Sequence, residues 1–142
     1  MTINGATLGF NEGFAIVKLG KLWGAIDQQG SMVIKPQFDW LSPLSDGLAC
    51  LELNSRYGFI DTQGNRVFDQ TYKHAIGFIS GLAVIQIEGK YGVINASGML
   101  VIPAKYETAP WVHGSLIYVI EDDTVGYIDR RGKYVWRVST RK

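Results

Sequence analysis

The sequence predicts an all-β tandem-repeat protein: four copies of one unit of about 34 residues, each a three-stranded antiparallel meander. Three observations carry this. Gly24, Gly58, Gly92 and Gly126 share one period, and Gly30, Gly64, Gly98 and Gly132 follow it. Two apolar columns, Ile26/Ile60/Ile94/Ile128 and Val33/Val67/Val101/Val135, are identical in every copy. Between these landmarks apolar residues alternate with a period near two, which is a strand signal.

Each element follows from its residues. A large apolar residue opens each unit (Phe10, Leu44, Phe78, Trp111), and Gly13, Gly47, Gly81 and Gly114 then mark a turn. The last interval in that glycine column is one residue short. It places an extra residue between Gly114 and Gly126, within Glu121–Asp123, at a turn where an insertion is cheap. The first strand alternates, as in Ala83, Ile85 and Ile87, and a tight turn such as Glu88-Gly89 leads to the second. The second strand ends in Asp27-Gln-Gln-Gly30, Asp61-Thr-Gln-Gly64, Asn95-Ala-Ser-Gly98 and Asp129-Arg-Arg-Gly132. Asp or Asn first and Gly fourth is the pattern of a type I turn with a bulge, the short side chain accepting from the turn's own amides. A third strand follows (Met32–Lys35, Arg66–Asp69, Leu100–Pro103, Tyr134–Arg137), and a proline-containing connector leads onward.

One meander cannot bury its apolar face, so the copies stack. The central glycines are expected where a ring or a neighbouring backbone approaches closely, or at a bulge. The expected architecture is an open β-solenoid-like array, with a closed propeller-like ring as the alternative. The unusual last copy and its basic end, which would blunt an edge strand, favour the open form. The domain is taken as 1–142, with repeats at approximately 10–43, 44–77, 78–110 and 111–142.

These residues resemble the WG-repeat (KWG-repeat) family, found widely in bacterial proteins. The resemblance rests on Gly13–Val17, Lys21–Asp27, Gly30 and Val33–Asp39, and covers essentially residues 10–137. The namesake pair occurs as Trp23-Gly24, becomes Tyr57-Gly58 and Tyr91-Gly92, and departs furthest as Val125-Gly126. The resemblance implies an array of variable copy number with no catalytic motif.

Composition excludes several classes. Apolar residues make up 46% of 142, so the chain buries a core. A net charge of +1 argues against nucleic-acid or membrane binding driven by charge. Six cations and no acid lie in the last thirteen residues (Arg130, Arg131, Lys133, Arg137, Arg141, Lys142). They read as a solubilising cap. One cysteine forms no intrachain disulfide, and Met1–Phe10 lacks the basic and apolar regions of a leader, so a cytoplasmic setting is expected.

No cofactor motif is present. The column Asp27/Asp61/Asn95/Asp129 offers one oxygen-bearing side chain per unit, which suits turn capping better than calcium. His74 and His113 lack metal spacing. Cys50, aligned with Ile16, Val84 and Ile117, reads as a buried small apolar residue. No nucleophile, base or phosphate loop argues for an enzyme.

Residues that break the repeat are free for recognition: Trp40, His74, Trp111, His113 and Tyr118. Trp40 leads, because its column partners His74 and Thr108 are polar and an exposed aromatic anchors interfaces. Trp111, aligned with Phe10, Leu44 and Phe78, could equally be core. The expected function is a non-catalytic scaffold for a protein partner, of which a small inhibitor or immunity-type protein is one form. A carbohydrate or cell-wall binding module is the alternative, and an interaction domain detached from a larger protein is another.

Overall fold

The structure is a computed structural model that describes residues 7–141. Met1–Ala6, within the stretch read as having no leader, and Lys142 of the basic run lie outside the described residues. The chain divides into two compact units, Met1–Thr71 and Tyr72–Lys142. The described residues form four antiparallel four-stranded sheets, with no helix among them, and no sheet closes into a barrel.

Sheet 1 runs β1 (Thr7–Asn11), β2 (Phe14–Leu19), β3 (Leu22–Asp27), β4 (Met32–Phe38). Sheet 2 runs β5 (Trp40–Leu41), β6 (Leu48–Leu53), β7 (Arg56–Asp61), β8 (Arg66–Tyr72). Sheet 3 runs β9 (His74–Ala75), β10 (Leu82–Ile87), β11 (Lys90–Asn95), β12 (Leu100–Tyr106). Sheet 4 runs β13 (Trp111–His113), β14 (Leu116–Glu121), β15 (Thr124–Ile128), β16 (Tyr134–Ser139).

The all-β tandem architecture is as the sequence predicts, with one more strand per sheet than the three expected. The connector supplies it: β5, β9 and β13 each begin the following sheet, because their few residues can pair with the next hairpin's first strand.

The turns behave as their residues require. Gly30, Gly64, Gly98 and Gly132 all take φ between 82° and 86°, and each donates its amide to the carbonyl of the Asp or Asn three residues earlier. At the other turn, Glu12-Gly13, Asp46-Gly47 and Ser80-Gly81 hold both residues at positive φ, the type I′ pattern. In sheet 4 the turn is Gly114-Ser115, closed by His113 opposite Leu116, with positive φ at Gly114 only. The glycine has moved from second to first position of a two-residue turn, and no residue is inserted. Asp122-Asp123 likewise forms an ordinary two-residue turn between Glu121 and Thr124, so the extra residue expected within Glu121–Asp123 does not exist.

That correction shifts the alignment by one. Val112, not Trp111, takes the position of Leu44 and Phe78, and all three are buried. Tyr118, not Ile117, is the counterpart of Cys50 and Val84: Val84 faces Val93, and Tyr118 faces Tyr127.

The central glycines stand where backbone comes close. A Cβ on Gly24 would lie 2.3 Å from the Ile34 carbonyl oxygen, on Gly92 2.7 Å from that of Ile102, and on Gly126 2.3 Å from that of Trp136. Gly58 differs: its nearest neighbour is the guanidinium of Arg66, at 2.7 Å.

Each unit has its own core. In the first, Ile16, Ala25 and Ile34 of sheet 1 pack with Leu41, Ala49, Leu51 and Ile60 of sheet 2. In the second, Val84, Val93 and Ile102 of sheet 3 pack with Val112, Ile117, Val119 and Ile128 of sheet 4. One face of the earlier sheet therefore meets the opposite face of the later one. Hydrogen bonds tie the hairpin turns together. Glu12 accepts from the amides of Asp46 (2.8 Å) and Gly47 (2.9 Å), and Arg130 donates to the carbonyls of Ser80 (2.6 Å) and Gly114 (3.0 Å).

Candidate functional site: an open aromatic row

The face of sheet 3 that buries Val84, Val93 and Ile102 has a counterpart in sheet 4 with a different content. Trp111 pairs with Tyr118, Tyr118 with Tyr127, and Tyr127 with Trp136, so one aromatic row crosses all four strands. Directly opposed residues share a face, and the odd–even alternation sends Ile117, Val119 and Ile128 into the core behind it. The corresponding rows of sheets 1 and 3 are buried, whereas Trp111 is 67% exposed and Trp136 52%. Tyr118 and Tyr127 between them are half-buried.

Neighbouring rings contact edge-to-face or tilted: Tyr118–Tyr127 at 5.4 Å and 69°, Tyr127–Trp136 at 6.4 Å and 48°. His113, two residues along β13, stacks on Trp111 at 6.1 Å and 15°. Trp111, His113, Tyr118 and Tyr127 line a shallow recess of about 150 Å3. Beside it an apolar cavity of about 340 Å3 is lined by Ile76, Ile79, Leu82, Val84, Pro110 and Trp111. A second row on the same face, Ile120 opposite Val125 opposite Val138, is aliphatic. Sheets 1, 2 and 3 carry Lys18, Glu52 and Gln86 at the position of Ile120.

Pro110 helps set this arrangement. It donates no amide, and β13 starts immediately after it, close to the hairpin turn. In sheet 3, β9 pairs farther from the turn, His74 with Gln86 and Ala75 with Ile85.

The structure brings together three of the five residues singled out from the sequence: Trp111, His113 and Tyr118. Trp111 is outside the core because the one-residue realignment places it on the opposite face from Val112. Trp40 in β5 faces Glu52 and is half-buried, so the exposure expected of it is not found. His74 occupies the equivalent place in β9 and is also half-buried. Tyr127 and Trp136 were missed. Their columns, Ala25/Phe59/Val93 and Ile34/Phe68/Ile102, hold no tyrosine or tryptophan, which was the available signal.

The turn-capping column and Glu121 have structural partners. One side-chain oxygen of Asp27, Asp61, Asn95 and Asp129 accepts two turn amides each, at 2.9–3.0 Å. The amides of Lys133 and Arg131 hold the Asp129 carboxyl below its ordinary range. Glu121 is likewise lowered, chiefly by Lys105, whose ammonium lies 3.1 Å away; Tyr134 donates to its other oxygen at 3.1 Å. Burial, with the nearby Glu52 charge, pushes the Cys50 thiol up to about 12, which suppresses the thiolate. The row can stack, bury apolar surface and offer tyrosine hydroxyls.

The fold and this face define a tandem β-sheet repeat protein whose last sheet carries an exposed aromatic face. The chain belongs to the WG-repeat family: the model for the WG containing repeat matches residues 7–23, 23–57, 57–91 and 91–123. No protein with a curated description matches the sequence. Among solved structures, a crystal structure of the eukaryotic initiation factor matches with TM-score 0.56 at 13% identity, over 89% of this chain and 39% of that one. A crystal structure of the mitotic checkpoint complex matches with TM-score 0.48 at 13% identity, over 90% and 50%. This chain therefore spans half or less of either, and the first likeness is one of fold alone.

Proposed function

We propose that this chain is a non-catalytic repeat scaffold that binds a protein partner on the outer face of sheet 4. The observation that carries the reading is the aromatic row Trp111–Tyr118–Tyr127–Trp136, exposed at both of its tryptophan ends. The equivalent residues of sheets 1 and 3 are buried in the cores of their units. Exposed aromatic residues over a contiguous apolar face mark interaction sites, and Trp and Tyr are enriched among the residues that dominate binding energy. The test is capture from native lysate by wild type, Trp40→Ala and the double variant Trp111→Ala/Trp136→Ala. One stoichiometric protein should be retained by the first two and lost by the third. Retention by the double variant would overturn the reading.

Carbohydrate binding is a second reading, favoured by the exposure of the two tryptophans that end the row, which offers sugar rings a stacking platform. A glycan array that is positive with wild type and negative with the double variant, with no captured protein, would replace the first reading by the second.

A further inference from the structure

Among the described residues the four sheets have eight edges, and seven are short, carry a proline or contain a residue at positive φ. On the leading side, β5 and β9 are two residues long and β13 three, while β1 is interrupted at Gly9, where φ is +80° and the register shifts. On the trailing side, β4 contains Pro36 and β12 contains Pro103. In β8, Phe68 takes φ of +64°, a departure from extended backbone within the strand. Short edges, prolines and bulges are the usual ways in which sheets protect unpaired backbone.

The eighth edge, β16, is six residues long, and its one register shift, which leaves Val135 without a partner, lies near its start, so Trp136–Ser139 pair with β15 without interruption. Tyr134–Ser139 contains no proline and no positive φ, and pairs with β15 on one side. Val135, Trp136 and Val138 are all exposed. Thr140 donates its amide to Asp123 at 2.6 Å. By the alternation of an antiparallel ladder, the amides of Val138 and Trp136 then face β15, and those of Arg137 and Ser139 face outward. A groove of about 550 Å3 follows this edge, lined by Gly132 to Arg137 alone.

The charge on the edge selects its occupant. Lys133 and Arg137 are exposed along it, and no acid occurs from residue 130 onward. A second copy of β16 would set cations against cations, which disfavours self-pairing. We propose that β16 is a strand-addition site for an extended acidic segment of a partner protein, with acidic and apolar residues alternating. An added strand would lengthen the aromatic row: its apolar side chains would lie beside Trp136 and Val138, its acidic ones beside Arg137 on the other face. The inference rests on the protein-binding reading above and names the chemistry of the partner.

The probe is a fluorescently labelled eight-residue peptide alternating valine and glutamate, with blocked ends, titrated by anisotropy into the full chain. Controls are the valine–lysine analogue and a block peptide of four valines followed by four glutamates. The alternating acidic peptide should bind and the two controls should not. Arg137→Glu and Lys133→Glu should each weaken it about tenfold, and added salt should weaken it further. Lys18→Glu, a reversal on sheet 1, should leave it unchanged, and thermal melts will show that each variant folds. Hydrogen exchange at the Arg137 and Ser139 amides should slow on binding. Failure of the acidic peptide to bind, equal binding of the lysine analogue, or binding without protection at those amides would overturn the proposal. Lysate capture separates the two claims. A partner lost by Trp111→Ala/Trp136→Ala but held at full affinity by Arg137→Glu overturns the edge site and leaves the face standing. Peptide binding with amide protection, but no captured protein, leaves the edge standing and removes the face.

Discussion

Sheets 3 and 4 share the register of their central hairpin, and they differ in what one row of it holds. Val84, Val93 and Ile102 are buried in a core, while Tyr118 and Tyr127 are half-buried and Trp136 is exposed. The strand pairs are the same to the residue, Val84 with Val93 and Tyr118 with Tyr127. In sheet 3 the row is covered by the inner face of sheet 4, while in sheet 4 the row is aromatic and exposed at its two ends. The same contrast marks the trailing edges, with Pro103 in β12 and none in β16.

Exchanging the rows should break the contrast most sharply. Val93→Tyr puts a ring where Val93 is fully buried, and should destabilise by about 3 kcal/mol in urea unfolding. Tyr127→Val, the reverse exchange, should cost under about 1 kcal/mol, chiefly the lost ring contacts. Equal costs would mean that the two rows are equally packed.

The glycine columns give the next largest effect. Gly92→Ala sets a Cβ against backbone and should cost about 2–3 kcal/mol. Gly58→Ala meets only the movable end of Arg66 and should cost about half as much or less. Paired thermal melts would decide it.

A pH-dependent effect follows from the thiol. Cys50 is raised from 9.0 to about 12 in the folded chain, so its contribution to stability is complete below pH 9 and is lost as pH rises toward 12. Cys50→Ala should flatten the fall in stability across that window, by at most about 1.4 kcal/mol per pH unit. The smallest effect is at the surface. Lys105→Ala removes the cation that holds Glu121 low, and should cost under about 0.5 kcal/mol near neutrality, with no difference once Glu121 is protonated at low pH.

The repeat, the strand alternation and the Asp-x-x-Gly turns were legible because each depends on neighbours in sequence. The fourth strand was not, because β5 and β9 are two residues each and their pairing depends on the next hairpin. The misplacement of Trp111 has one cause. A glycine that moves within a two-residue turn looks like a deletion when columns are aligned by glycine alone. It costs one residue of register, and in a strand one residue exchanges the faces. Tyr127 and Trp136 escaped notice because their importance lies in facing Tyr118 across the sheet, a relation set by pairing. Trp40 was favoured on column composition, which carries no information on how far the strand shields the ring.

The central claim, that the outer face of sheet 4 is the docking surface, is tested most directly by hydroxyl-radical footprinting of the chain with and without its captured partner. The account predicts protection at Trp111, Tyr118, Tyr127 and Trp136, with Trp23 and Trp40 unchanged. Protection at Trp40 with the sheet 4 row still fully reactive would contradict it.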